Sequence, residues 1–246
     1  TTDPYGDPDL VSLYDVDNPD GPDHDHYRAL ALSLDARRII DLGCGTGLLT
    51  RTLAGPGREV IGIDPSATML SWARARPGAG NVTWVEGDAA RIAPTSDVDL
   101  VLSTGNAIMH LDDDQLAEAL ARIAGALRPG GVVSFESRNP AAREWETWTK
   151  DATLARRDTP AGRLVEWVEV TEVAGERVSF ESHTVLPDGD HRVRTSVLHV
   201  RGVQAFGAAL LDAGFVDVEL RGGWSGESVT ERSRVVVYRA CTRSTT

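Results

Sequence analysis

Residues 39–47, IIDLGCGTG, run a short apolar stretch into three glycines on alternate positions, with one acid just before them. Ile39, Ile40 and Leu42 fit a strand buried on both faces, as in a parallel sheet covered by helices. Gly43, Gly45 and Gly47 remove every side chain where the backbone must turn sharply and come close to a ligand. Leu48, Leu49, Leu53 and Ala54 then open an expected helix, so the loop offers a helix N-terminus to whatever it binds. The stretch reads as a cofactor loop at the end of a first strand.

Strands and helices alternate outward from that loop. EVIGID (59–64), NVTWVEGD (81–88), DVDLVLSTG (97–105) and GVVSFES (131–137) read as strands. SATMLSWARAR (66–76) and DDDQLAEALARIAGAL (112–127) read as helices, the second with acids in its first turn and a stop at RPGG (128–131). Upstream, a short helix is expected around Leu10–Tyr14 and another over Tyr27–Leu34. This rhythm calls for a parallel sheet with helices on both faces. After Ser137 it breaks: residues 163–174, 177–186 and 191–200 alternate apolar and polar between turn signals, which predicts three antiparallel strands. A helix at 203–213 and strands at 215–220 and 234–240 resume the main fold. The expected architecture is one Rossmann-like α/β domain over 1–246: a seven-stranded, mostly parallel sheet with an antiparallel β-meander inserted at 138–202.

Composition narrows the function. An apolar content of 41% and a charged content of 25% suit a globular chain. No apolar run is long enough to span a bilayer, and the acidic, Pro- and Asp-rich first thirty residues do not resemble a targeting peptide, so a cytoplasmic protein without a membrane partner is expected. The net charge of −12 argues against a nucleic-acid partner, which would require clustered basic residues. Two cysteines, Cys44 and Cys241, supply neither a disulfide framework nor a metal-ligand spacing. The Asp112–Asp114 run reads as helix N-terminal acids rather than a metal site, so no metal is expected. Lys150 is the only lysine, which leaves a Schiff-base mechanism a single candidate with no supporting motif.

The glycine loop admits two cofactors. A dinucleotide turn wants its third glycine three residues after the second. Here Gly45 and Gly47 are two apart and Leu48 stands at the dinucleotide position, which favours S-adenosylmethionine over NAD; a purely structural turn is the bland alternative. Asp64 ends the second strand about twenty residues past the first glycine, where an acid can take both ribose hydroxyls. Asp88, ending the third strand, can accept from an adenine amino group while Ala89 offers a backbone N–H. Asp41, Asp64 and Asp88 thus line one sheet edge with no basic cluster, suited to a ligand that lacks phosphates and carries a cationic centre.

With these residues in place, the chain resembles the class I S-adenosylmethionine-dependent methyltransferases of bacterial small-molecule type. DLGCGTG resembles their first motif, VIGIDPSATML the second and VEGDAARI the adenine motif. DLVLSTGNAIMH, LRPGGVVSFES and LLDAGFVDVEL resemble later steps, so the likeness runs over residues 8–240. It implies that Gly43, Gly45 and Gly47 pass the methionine part with Asp41 near its amino group. It further implies Asp64 on the ribose, Pro65 and Ser66 beside the adenine, Asp88 and Ala89 at its edge, and Thr104 under the methionine. Tyr27 and Tyr14 resemble tyrosines that close over the cofactor, Tyr14 also toward the acceptor. S-adenosylhomocysteine would be the product.

On the acceptor side, His110 in GNAIMHL is the candidate base, since imidazole titrates near neutral pH. Asn106, Glu136, Arg138 and Asn139 follow strands four and five and are expected in the acceptor cleft, with Trp145, Trp148 and Trp167 as either a lid or packing for the insertion. His183 and His199 are expected to be structural. The expected activity is methyl transfer to N, O or S of a small organic molecule, in secondary metabolism, by a monomer or homodimer. An NAD-linked oxidoreductase and a non-catalytic cofactor-binding module are the rival readings.

Overall fold

The computed structural model describes residues 3, 5–159 and 162–244. Two helices, α1 (Pro8–Asp17) and α2 (Pro22–Ser33), lead into β1 (Arg38–Leu42). There follow α3 (Thr50–Leu53), β2 (Glu59–Asp64), α4 (Ala67–Arg74), β3 (Val82–Glu86), β4 (Val98–Ser103), α5 (Asp113–Ala126) and β5 (Leu127–Arg138). A one-turn helix α6 (Lys150–Thr153) precedes β6 (Ala155–Thr159), β7 (Gly162–Ala174), β8 (Arg177–Val185) and β9 (His191–His199). The chain closes with α7 (Val203–Asp212), β10 (Val216–Arg221) and β11 (Val235–Cys241).

The main sheet has seven strands in the order β10-β11-β5-β4-β1-β2-β3. β1 to β5 pair in parallel, while β11 runs antiparallel to β5 and β10 antiparallel to β11. The chain moves outward from β1 to β2 and β3, then returns to place β4 on the other side of β1. That reversal opens a crevice beyond the C-terminal ends of β1 and β4, where open α/β sheets bind ligands. Alternate residues feed two apolar layers: Ile39, Val60, Leu100 and Val132 pack on one face with α2, and Ile40, Ile63, Val101 and Val133 on the other with α5 and α7. Burial on both faces explains why these strands read as continuous apolar runs.

Three expectations shift. The helix expected from Leu48 is only the turn Thr50–Leu53, because Ala54 is already extended before Gly55–Pro56–Gly57. RPGG does not precede β5 but lies inside it: the register slips between the Val98–Leu127 and Leu100–Val132 pairs, so the glycines form an irregularity within the strand. The inserted sheet has four strands rather than three, ordered β6-β7-β8-β9 and wholly antiparallel. The missed strand, ARRDT, lies at the edge and carries charge instead of apolar alternation, as edge strands commonly do.

Candidate functional site

The glycine loop is fixed by main-chain bonds before any side chain acts. Gly43 and Cys44 N–H groups both donate to the Ile63 carbonyl, at 2.8 and 3.1 Å. All three loop glycines have positive φ, but for different reasons. A Cβ on Gly43 would meet that of Ala107 at 2.6 Å, and one on Gly47 would overlap the Trp84 ring. Gly45 has nothing within 4 Å of its missing Cβ and faces open space. Two of the glycines are therefore demanded by the protein's own packing, and one is left for a ligand. Asp64 staples the loop to α4: its Oδ2 accepts from the Gly45 N–H at 2.8 Å and its Oδ1 from Ser66 at 2.9 Å. Burial raises its pKa, opposed by those two bonds.

Two buried carboxylates sit below this loop. Asp41, at 1% exposure, accepts from the Thr50 hydroxyl through Oδ2, while its Oδ1 has no partner. Burial pushes its pKa up to about 6. Glu136, at 2% exposure on the last turns of β5, accepts from the Tyr27 hydroxyl and from the Asn106 N–H, the latter at 2.6 Å. Burial pushes it up to about 7 against those bonds. Thr104, Gly105 and Asn106 follow β4, where Asn106 takes a left-handed conformation and buries an Oδ1 without a partner. Unpaired oxygens and an open glycine together fit a ligand whose central group is positive. Asp88 is exposed and caps the turn 89–91 through Ala90, with Ala89 buried behind it. Pro65 is exposed beside the buried Ser66.

A segment the sequence did not mark covers this crevice. Ser66 Oγ lies 2.7 Å from an Asp3 carboxylate oxygen and 3.1 Å from the Tyr5 carbonyl, and Thr68 donates to the Gly6 carbonyl. Above it the Tyr5 ring meets Tyr14 and His110 edge-on, at 6.1 and 6.3 Å, and carries the Arg194 guanidinium at 4.8 Å. Asp15 of α1 accepts from Thr46 of the glycine loop and pairs with Arg76. The only local signal was the tyrosine content of a turn-rich stretch. His110 keeps a solvent-exposed edge, yet crowding lowers its pKa, helped by Arg194 and His199 and opposed by the Val197 main chain. The shift favours the neutral imidazole, the form a base requires.

A cavity of about 250 Å³ adjoins Tyr14, between one face of α1 and β7–β9. Leu10, Leu13 and Val168 supply apolar wall, and Asp17, Glu166 and Arg194 supply charge. Arg157 of β6 bridges the two acids, at 2.6 Å to Asp17 and 3.0 Å to Glu166. Burial raises the pKa of both. Neither acid was singled out from sequence: Glu166 meets Arg157 through the β6–β7 hairpin, and Asp17 meets it from a helix far away in the chain.

Several expected site residues are placed elsewhere. Tyr27 is no lid: it is wholly buried against His26 and Trp224, with its hydroxyl spent on Glu136. Glu136 itself is spent on Tyr27 and Asn106 rather than facing the acceptor cavity. Asn139 caps the turn 140–142 and donates to the Thr230 and Ser233 carbonyls at 2.9 and 2.8 Å, which uses its amide fully. Arg138 pairs with Glu144 and stacks over Trp148 at 5.0 Å, and Trp148 meets Phe180 edge-on at 5.1 Å. Trp145 and Trp148 pack on the main core, so this aromatic group joins the inserted sheet to the α/β layer. Trp167, by contrast, lines the cavity beside Tyr14, as does His183, on which it stacks at 4.6 Å. Asp112 caps α5 with Gln115, and Asp113 holds Arg201.

Comparison with known proteins accords with this geometry. Residues 39–131, from the first strand to the start of the GVVSFES run, match the model of a methyltransferase domain. A cypemycin N-terminal methyltransferase from Streptomyces sp is 29% identical over 206 residues, covering 82% of this chain and 81% of that protein. Residues 39–131 thus carry a methyltransferase domain, and the longer likenesses support the class I S-adenosylmethionine-dependent methyltransferases as its family. Seven other curated relatives, trans-aconitate 2-methyltransferases among them, are 35–41% identical but align over only 39–45% of their own length. The CcbJ methyltransferase from Streptomyces caelestis superposes with a TM-score of 0.81 at 22% identity, covering 98% of this chain and all of that one. CalS10 from Micromonospora echinaspora, solved with S-adenosylmethionine and titled an amino pentose methyltransferase of calicheamicin biosynthesis, gives 0.73 at 20% identity, covering 94% and 96%. The methyltransferase uses S-adenosylmethionine as its donor, and the close Gly45–Gly47 spacing was the sequence feature that set it apart from NAD enzymes.

Proposed function

We propose that this methyltransferase moves the donor's methyl group, by in-line displacement, onto an amine nitrogen of a small organic acceptor in bacterial secondary metabolism. The observation that carries the reading is the acid-bearing cavity beside Tyr14, one wall of which is α1, the helix whose Asp15 reaches Thr46 of the glycine loop. Asp17 and Glu166, which line this cavity and already hold one cation in Arg157, suit an acceptor that arrives as an ammonium ion. The names of two relatives, an N-terminal methyltransferase and an amino pentose methyltransferase, support the same choice.

In this reading Gly43, Gly45 and Gly47 pass the methionyl part, Asp64 holds the ribose, and Ser66, Asp88 and Ala89 flank the adenine. Thr104 lies under the methionyl chain, and Asp41 turns its unpartnered Oδ1 toward the cationic end. The donor supplies a methyl group already activated on a sulfonium, so the protein's contribution is chiefly alignment. Tyr5 and Tyr14 exclude water above the crevice. The neutral His110 imidazole takes the proton that an ammonium acceptor must lose before its lone pair can attack. The segment 138–202 acts as an acceptor-side lid on a single catalytic domain.

The test is incubation with deuteromethyl-labelled donor and a panel of aminodeoxy sugars, peptides with free N-termini, and dicarboxylic acids, read by mass spectrometry. Label on an amine, lost in Asp17→Asn with Glu166→Gln, is the expected result. Label on a carboxylate would replace the amine reading, and donor binding without transfer to any member would favour a binding module.

A further inference from the structure

The buried acid Glu136 has no direct access to the acceptor cavity, yet a carboxylate in such a place must be held there for a reason. Isolated carboxyl burial is costly unless its oxygens are matched, and both oxygens of Glu136 are: one by Tyr27, one by the Asn106 N–H. Tyr27 has no second task, being fully enclosed. The pair thus forms a strut from α2, through the end of β5, to the loop after β4. At the far end of the strut stands Asn106, in a left-handed conformation (φ 59°) that non-glycine residues adopt at a cost. Ala107, next along, is the residue whose Cβ forbids a side chain at Gly43, so the loop is seated directly on the glycine turn. The Asn106 Oδ1 is buried and unmatched, as is Oδ1 of Asp41 one strand away in the sheet.

We propose that Glu136 is a positioning residue: through the Asn106 N–H it locks the left-handed turn, so that Asn106 Oδ1 accepts an N–H of the donor's methionyl ammonium beside Asp41. This rests on the crevice beyond β1 and β4 being the donor site. It reassigns Glu136 and Asn106 from acceptor contacts to the donor's charged end. A side-chain carbonyl suits that position because it adds an acceptor without adding a third buried charge to Asp41 and Glu136. Glutamine at 136 would preserve the strut, since its carbonyl can accept from Asn106 while its amide donates to the Tyr27 oxygen.

Titration calorimetry with S-adenosylhomocysteine and with 5′-methylthioadenosine, which lacks the amino-acid end, separates this role from a general structural one. Asn106→Gly tolerates the left-handed backbone and removes the side-chain carbonyl together with the rest of the carboxamide. It should weaken S-adenosylhomocysteine about tenfold or more, the scale of a lost hydrogen bond to a charged group, and leave methylthioadenosine unchanged. Glu136→Ala should give the same selective loss, and Glu136→Gln should restore affinity. Equal weakening of both ligands, or no weakening of either, would overturn the assignment. Wild-type protein that binds methylthioadenosine but gains nothing from the amino-acid end would also overturn it. Wild type that binds neither ligand would instead refute the crevice as donor site, and the assignment with it. Should Glu136→Ala fail to fold, the Asn106→Gly comparison decides alone.

Discussion

The parallel sheet and the inserted sheet meet their ligands by opposite means. At the end of β1 the main chain does the work: backbone N–H groups from the glycine loop and α4 grip Ile63 and Asp64, and tolerance for side chains is set by Ala107 and Trp84. Along β6–β9 the work falls to long charged side chains, with Arg157 bridging Asp17 and Glu166, Arg192 reaching Asp7 and Asp9, and Arg194 lying over Tyr5. A site built from backbone and glycine admits few sequences and one ligand. A site built from partly exposed ion pairs between an antiparallel sheet and a helix can change partners by substitution without disturbing the fold, since such pairs contribute little stability. On the proposed assignment of sites, the donor half is the constrained one and the acceptor half is free to vary.

The sharpest way to break this contrast is inside the glycine loop. Gly47→Ala must place a Cβ in the Trp84 ring at a φ of 69°, and should lower unfolding stability by about 4 kcal/mol from backbone strain plus overpacking. Gly45→Ala, at φ 53° with open space beyond, should cost only about 1 kcal/mol but impair donor binding. Urea denaturation of both variants checks the ranking. Equal losses would show that the loop is constrained by conformation alone, not by what each glycine touches.

What the sequence revealed follows the same division. Glycines with forced φ, acids at strand ends and two-faced apolar strands are local signals, so residues 39–47 and the strands after them were readable from the chain alone. The inserted meander was partly readable, because β7, β8 and β9 alternate, whereas β6 carries only an edge strand's charges. The cover formed by Asp3, Tyr5 and Gly6, the Asp17–Arg157–Glu166 bridge and the Tyr27–Glu136–Asn106 strut were not. Each joins residues far apart in sequence, and no single letter among them announces its partner. Asn139 shows the converse: its place after a strand suggested a ligand contact, but its amide is needed to close a turn.

The next effect in size concerns pH. Asp41 and Glu136 have folded pKa values of about 6 and about 7, above their unfolded values of 3.8 and 4.5. Between these limits the folded state binds more protons than the unfolded one, so stability falls as pH rises. The loss begins near pH 4 and is complete somewhat above pH 7, on the order of 3 kcal/mol from each acid. Thermal melts from pH 4.5 to 8 should show this decline in free protein, and saturating S-adenosylhomocysteine should flatten it by placing an ammonium beside Asp41. A flat profile without ligand would mean that both acids are better solvated than their burial indicates. Asp64→Ala comes next: loss of the ribose contacts should weaken S-adenosylhomocysteine binding by about 2 kcal/mol, and unchanged affinity would remove Asp64 from the donor site.

The smallest effect tests the inserted sheet itself. Lys150 Nζ lies 3.9 Å from the Trp167 ring centre, and that ring stacks on His183 in turn. The lysine is exposed, so Lys150→Ala should cost only about 0.5–1 kcal/mol. If charged contacts here tune the acceptor wall rather than hold the fold, the urea midpoint should barely move while Trp fluorescence changes. Donor affinity should stay at the wild-type value, because Lys150 touches nothing in the crevice beyond β1 and β4. A loss above 2 kcal/mol, or a coupled fall in donor affinity, would mean that the sheet is stabilised by these side chains after all. The two halves would then share one set of constraints, and the freedom assigned to the acceptor wall would be lost.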